Sequence, residues 1–338
     1  MQVRRETDLP RKSNTVVLSH RKDADGIGSA ALIKSMTGAS VYLTDYSDMT
    51  DTLTSIPAGG EVFVCDLGLN KSTFGDFLRE LLRLKSGGPV HYIDHHPLEP
   101  DFMTDLLRNG IDVYHSTEES AAMLVYKKYE ERLNSPVAKI IACCGAITDY
   151  LDLQPFAKKI ISSFDRQFLL YESTVLSFSI AIIGRDGAES NSTLTKIVDE
   201  LASGKLPHQI ENASSYAQEF ASHSAALIER VRKEGKKMKN FAYFKTRESS
   251  TGNVANFLIG AFDVSVGAAF REDQPGYYEI SLRASEQSKH NLGKIVGKIS
   301  AQIGLSGGGH PKAAGARIKT SQLDEFLSLL DSELSSPA

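Results

Sequence analysis

Carboxylates and imidazoles recur at the ends of apolar runs in the first half of this 338-residue chain. Asp23-Ala-Asp25 follows Thr15-Val-Val-Leu-Ser-His20, and Asp66 follows Val62-Phe-Val-Cys65. Asp94-His95-His96 closes Pro89-Val-His-Tyr-Ile, and Asp149 follows Ile140-Ile-Ala-Cys-Cys-Gly-Ala-Ile-Thr148. Acids gathered at the ends of buried strands repel one another and lose hydration, so a cation is expected to hold them together. Mixed carboxylate and imidazole ligands suit divalent metal, and this number of ligands suits two ions. A competing pattern is Gly26-Ile-Gly28-Ser-Ala-Ala31 with Asp45 beyond it, a loose dinucleotide-binding fingerprint. Asp23 and Asp25 directly ahead of its first glycine would repel a pyrophosphate, which favours the metal.

The elements that must position these groups follow from periodicity. Strands are predicted at 15–19, 40–43, 61–65, 90–94 and 111–114, and helices at 27–37, 73–85, 118–133 and 136–148. Alternation of this kind gives a largely parallel sheet covered on both faces, with ligands beyond the carboxyl ends of its strands. From about 155 to 238 the pattern is helical and ends in the basic run Arg230-Val-Arg-Lys-Glu-Gly-Lys-Lys-Met-Lys239. That run reads as a solvated helix terminus, with contact to a nucleic-acid backbone as the alternative. Strands return at 241–244, 264–270 and 277–284, then a helix at 291–303, a strand near 313–318 and a helix at 321–334. The expected fold is α/β, with a mostly parallel N-terminal domain (1–185), a helical connector (186–238) and a smaller C-terminal α/β substrate domain (239–338).

Composition bounds the rest. Hydrophobic content of 41% supports a sizeable core, and the net charge of -4 argues against a large non-specific DNA-binding surface. No apolar run reaches the length of a membrane span, and Met1-Gln-Val-Arg-Arg-Glu-Thr-Asp lacks a signal-peptide core. Cys65, Cys143 and Cys144 all lie in apolar runs, which points to buried thiols in a cytoplasmic protein.

The clusters, in this order, resemble the DHH phosphoesterase family: His20-Arg-Lys-Asp23-Ala-Asp25-Gly26, Val64-Cys-Asp66-Leu-Gly68, Asp94-His95-His96 and Ala146-Ile-Thr-Asp149. Gly307-Gly308-Gly309-His310-Pro-Lys-Ala-Ala-Gly315 resembles the signature of the DHH-associated substrate domain. The branch is that of RecJ-like exonucleases, oligoribonucleases (nano-RNases) and phosphoadenosine-phosphate (pAp) phosphatases. The resemblance implies a first ion on His20, Asp23 and Asp66, and a second on Asp25, Asp66, His95 and Asp149, with Asp66 shared. The spacer between His20 and Asp23, here Arg21-Lys22, varies in the family. Mn²⁺ is expected, with Mg²⁺ or Co²⁺ as substitutes. Asp94 would fix an imidazole tautomer, and His96 would face the scissile phosphate. Among the other polar residues, His91 reads as a satisfied strand histidine, Ser116 or Thr117 as a helix cap, and Asp152 as structural.

Three consecutive glycines cost backbone entropy and make sense where amides approach a ligand, so Gly307, Gly308, Gly309 and His310 are read as a phosphate-cradling turn. By the resemblance, Arg283 binds phosphate beside them. The expected activity is hydrolysis of short single-stranded RNA or DNA to nucleoside monophosphates, in a cleft between the two domains. The chain has only about one helix after its glycine motif, which favours short substrates over long ones. The alternatives are a RecJ-like exonuclease on longer strands attached to a replication or repair complex, and a pAp phosphatase or cyclic-dinucleotide phosphodiesterase. An inorganic pyrophosphatase or a non-catalytic replication scaffold ranks lower. A homodimer is compatible with the resemblance; polarity and RNA or DNA preference stay open.

Overall fold

The structure is a computed structural model that describes residues 14–185, 190–247, 250–304 and 306–336. The N-terminal segment read above for a signal-peptide core lies outside the described residues. Two compact units divide the chain at Ala221 and Ser222.

The first unit begins β1 (Val16–His20), α1 (Ala24–Thr37), β2 (Ser40–Thr44), α2 (Met49–Ser55), β3 (Val62–Cys65) and α3 (Phe74–Lys85). It continues through β4 (Val90–Asp94), α4 (Pro100–Arg108), β5 (Asp112–His115), α5 (Ala121–Lys128), α6 (Pro136–Thr148), α7 (Pro155–Ile161), α8 (Arg166–Ile183) and α9 (Ser190–Ala202). Helix α10 (Ala213–Glu234) runs into the second unit. All four strand pairings are parallel, in the order β2-β1-β3-β4-β5. Because successive side chains point to opposite faces, Val17, Phe63, Cys65 and Ile93 pack into one core with α1, α5, α6 and α8. Val16, Leu18, Val64 and Tyr92 pack into another with α2, α3 and α4. Fully burying one such side chain contributes about 1.5–3 kcal/mol.

Helices α2 and α4 are additions to the sequence reading. Each is short, at seven and nine residues, and buries only two residues, Met49 and Leu53 or Phe102 and Leu106. Helix α5 covers only part of the predicted 118–133. Its cap is Ser120, whose Oγ accepts from the Met123 N–H, and neither Ser116 nor Thr117 takes that role. Ser116 instead accepts the Glu118 N–H in the preceding turn.

The second unit adds β6 (Lys236–Lys237), β7 (Ala242–Lys245), α11 (Thr251–Phe262), β8 (Val266–Gln274), β9 (Tyr277–Ala284), α12 (Leu292–Gln302), β10 (Ser306–Gly309), β11 (Ala313–Lys319) and α13 (Leu323–Ser335). Its sheet order is β10-β11-β9-β8-β7-β6, antiparallel except between β7 and β8. Helices α12 and α13 build one core against this sheet; α10 and α11 build the other. Helix α11 also escaped the sequence reading.

Candidate active site

Strand order reverses beside β1 and β3, and at such a switch point in a parallel sheet the loops diverge and leave a crevice. His20 ends β1, Asp66 follows β3, and Asp94 ends β4. Asp23 caps α1 by accepting the Gly26 N–H at 2.9 Å. Gly26 and Gly28 are therefore helical, and the dinucleotide-loop alternative has no free turn here. Asp25, on the first turn of α1, is fully buried and accepts the N–H groups of Ala121 at 2.6 Å and Ala122 at 2.8 Å. The amino end of α5 thus grips one carboxylate. Helix α6 makes room for it at Gly145, where a Cβ would overlap Asp25 Oδ1.

Asp66 stands at the centre. Its φ of 57° is left-handed, a conformation non-glycine residues adopt at a cost and mostly where function requires it. Its Oδ2 lies 3.6 Å from His20 Nδ1 and its Oδ1 3.3 Å from His95 Nε2. His20 Nδ1 is also 2.7 Å from Asp23 Oδ2, and His95 Nε2 is 3.1 Å from Asp149 Oδ2 and 3.8 Å from Asp25 Oδ2. Two sets of ligand atoms, His20/Asp23/Asp66 and Asp25/Asp66/His95/Asp149, each gather within 4.8 Å. A third combination, Asp66/His95/His96, meets the same distance, although the sequence reading kept His96 off the metal. Asp94 Oδ1 holds His96 Nδ1 at 2.9 Å, while its Oδ2 accepts the His96 N–H and the Tyr92 hydroxyl. His115 Nε2 donates to the His96 carbonyl at 2.6 Å, which steadies the same turn.

Electrostatics show what the cluster requires. Burial, then the charges of Asp149 and Asp66, pushes the Asp25 carboxyl well above its ordinary value. Burial and the Asp23 charge push Asp66 up to about 6. Burial opposes the charged form of His95, but hydrogen bonds to Asp149 and Asp66 prevail and raise it to about 11. His20 rises in the same way: burial opposes, and Asp23, Asp45 and Asp66 prevail. Burial acts against the Asp23 carboxylate too, yet His20 holds it down to about 2. Both imidazoles are thus pushed toward the charged form by the carboxylates around them. Asp66 Oδ2 is buried without a hydrogen-bond partner, which fits an oxygen placed to coordinate a cation. The residues present fit divalent metal.

Sequence reasoning missed Tyr46 and the role of Asp45. Asp45 Oδ1 faces His20 Nε2 at 3.4 Å and its other oxygen pairs with Lys22. The Tyr46 hydroxyl lies 3.3 Å from His96 Nε2 and accepts from the Gly68 N–H. Their position just past β2, beside β1, was the available signal. His91 bonds Asp112 and Glu61 and stacks on Phe63. Asp152 pairs with Arg166 at 3.6 Å.

In the second unit the glycine run is not a turn. It is the edge strand β10, paired with β11; the tight turn falls at His310–Ala313, where the His310 N–H donates to the Ala313 carbonyl. Packing accounts for part of the composition: a Cβ at Gly307 would overlap Ser300 Oγ of α12, whereas one at Gly308 would meet nothing within 4 Å. His310 is exposed. Arg283, on β9, donates to the Leu282 carbonyl, and its guanidinium lies against Gly252.

Residues 14–147 match the DHH family, N-terminal domain, and residues 236–336 match the DHHA1 domain. No curated protein matches the chain significantly. Among solved structures, a pGpG-specific phosphodiesterase, PggH from Vibrio cholerae, superposes with a TM-score of 0.60 at 16% identity, over 95% of this chain and 99% of that one. RecJ from Thermus thermophilus, in complex with Mn²⁺, gives 0.63 at 18% identity over 96% of this chain, which spans only 52% of that RecJ. The DHH domain of a member of the s1p family of ribosomal proteins gives 0.68 at 15% identity, over 97% and 88% of the two chains. These likenesses establish a shared fold. With both domain families matched in order, and the acid–histidine cluster assembled where the parallel sheet opens, the chain belongs to the DHH phosphoesterase superfamily, as a hydrolase whose DHH domain is followed by a DHHA1 domain.

Proposed function

We propose that the protein hydrolyses phosphodiester bonds in short single-stranded oligonucleotides with two divalent ions, Mn²⁺ first and Mg²⁺ or Co²⁺ as substitutes. The observation that carries this is Asp66, whose two oxygens face two separate ligand groups from a left-handed backbone. His20 and Asp23 would hold one ion, Asp25, His95 and Asp149 the other, and Asp66 both. Such ions, when bound, neutralise phosphate charge and lower the pKa of water at the site. The protein's own part is positional. The α5 amides fix Asp25, Asp94 fixes the His96 ring, and His96 Nε2, which meets the Tyr46 hydroxyl at 3.3 Å, would turn that bond to a phosphate oxygen or the leaving group. In the second unit, Arg283, Gly307, Gly308, Gly309 and His310 would bind the far phosphate or sugar, with the exposed β10 edge supplying amide donors.

The preference for short substrates is supported by the likeness to a phosphodiesterase specific for pGpG, which is matched over 99% of its chain. Purified protein with Mn²⁺ should cleave a labelled dinucleotide or trinucleotide to monophosphates faster, per end, than a long single strand. Equal or faster digestion of the long strand replaces this reading with a RecJ-like exonuclease. Release of phosphate from pAp alone would point to a phosphatase.

A further inference from the structure

The loop 149–154 joins α6 to α7 and begins at a residue of the cluster, Asp149. It leaves α6 through paired bonds: the Tyr150 N–H donates to the Ile147 carbonyl at 3.3 Å and the Leu151 N–H to the Ala146 carbonyl at 2.8 Å. This is the helix-ending motif that requires a left-handed residue and selects glycine, with asparagine second. The residue here is Tyr150, with φ 60°. No burial compensates for that strain, because Tyr150 is 86% exposed. Leu153, in the same loop, is 75% exposed, and neither belongs to a core cluster. The backbone beneath them is braced: Leu151 is half-buried, Gln154 N–H donates to the Leu151 carbonyl, and Arg166 pairs with Asp152. An aromatic side chain one residue from Asp149 and an aliphatic one four residues from it are thus exposed on a braced loop.

We infer that Tyr150 and Leu153 form a stacking platform for a nucleobase of the substrate. The inference rests on the phosphodiester reading, in which a base lies one sugar away from the phosphate that the cluster would engage. A ring and a flat aliphatic patch grip any base through its π-face, so the platform selects nucleotides over other phosphoesters without reading sequence. It also gives a reason for a tyrosine where the turn itself selects glycine.

The chain contains no tryptophan, so Tyr150→Trp installs a single emitter at the platform. Titration with a non-hydrolysable dinucleotide phosphorothioate should quench its emission saturably, while the same compound lacking both bases should not at equal concentration. Tyr150→Gly relaxes the turn and removes the ring, so it should melt at or above the wild-type temperature yet raise KM for a trinucleotide about tenfold. Tyr150→Phe should restore the wild-type KM. Unchanged emission at dinucleotide concentrations well above KM, or an unchanged KM in Tyr150→Gly, overturns the platform, and a surface for a protein partner then takes its place. The emission titration reads binding alone. Quenching without hydrolysis by the wild type would therefore retain the platform and remove the phosphodiesterase reading, whereas hydrolysis without quenching does the reverse.

Discussion

Gly145→Ala tests the geometry of the site from its packing. In the middle of α6, alanine improves helix propensity by about 1 kcal/mol over glycine, so an unconstrained position would be stabilised. Here the new Cβ would overlap Asp25 Oδ1 and stand 3.0 Å from Ala122 Cβ and 3.1 Å from Ser120 Oγ. Overpacking of this kind costs about 1–3 kcal/mol. If Asp25 shifts and gives up one of its two backbone N–H bonds, the loss of a hydrogen bond to a charged group adds about 1.5–3 kcal/mol. The net effect is destabilisation of about 3 kcal/mol, or roughly 6–12 °C in Tm for a unit of this size. Since Asp25 belongs to only one of the two proposed ligand groups, Mn²⁺ measured by equilibrium dialysis should fall partially. Hydrolysis should fall further than metal content. A Gly145→Ala protein that melts at or above the wild-type temperature with full metal content would show that α6 does not pack against Asp25 as described.

Asp66→Asn should abolish hydrolysis and lower bound Mn²⁺ while the protein stays folded, because asparagine tolerates the left-handed backbone. Its effect on metal-free stability has a definite sign. Asp66 is pushed up from 3.8 to about 6, so the stability its protonated form contributes is complete below pH 3.8 and lost as pH rises through about 6. Metal-free Asp66→Asn should therefore be more stable than wild type at pH 7, by about 1–3 kcal/mol in urea unfolding, and equal stability there would contradict the assigned burial cost. His310→Ala should leave metal content intact and slow oligonucleotide hydrolysis more than hydrolysis of bis-p-nitrophenyl phosphate; loss of metal, read by elemental analysis, would remove the substrate role given to His310. Cys65, Cys143 and Cys144 are buried and free, and burial raises all three thiols, Cys143 and Cys144 to about 12. Native protein at pH 8 should resist alkylation at all of them, and rapid labelling before denaturation would place a thiol at the surface.

The parallel sheet and the acid clusters were legible because both rest on local rules. A fully buried strand reads as an apolar run, and a charged residue that ends it must sit at the sheet's carboxyl edge. Short elements escaped: α2 and α4 run only seven and nine residues and bury two each, too short a stretch for a helical period to be told from a loop. The extent of α5 was misjudged for a different reason. Its first turn is fixed by Asp25, 96 residues away from Ala121, and no local propensity records a carboxylate that arrives from another helix. The glycine run was misread as a turn because composition alone does not separate backbone exposed to a ligand from backbone pressed against a helix. At Gly307 the neighbour is Ser300 of α12, and only Gly308 opens to free space. Tyr46 was invisible because its partner, His96, lies 50 residues away on the other side of β1 and β3.

Charge balance also explains why histidines, and not further carboxylates, complete the cluster. Asp23, Asp25, Asp66 and Asp149 could not share so small a volume as four uncompensated anions, since desolvation and mutual repulsion would each favour protonation or unfolding. The α5 amides answer for Asp25, and His20 and His95, raised toward their charged forms, answer for the others. An imidazole can do this as a cation before metal binds and then serve as a neutral ligand once its proton leaves. A lysine could supply the first role but not the second, and a fifth aspartate the second but not the first. The histidines at the ends of β1 and β4 therefore offset the converging carboxylates and, on the proposed two-ion reading, would yield that role to the cations they help to hold. On that reading both demands fall on His95, in the Asp-His-His sequence at which β4 ends.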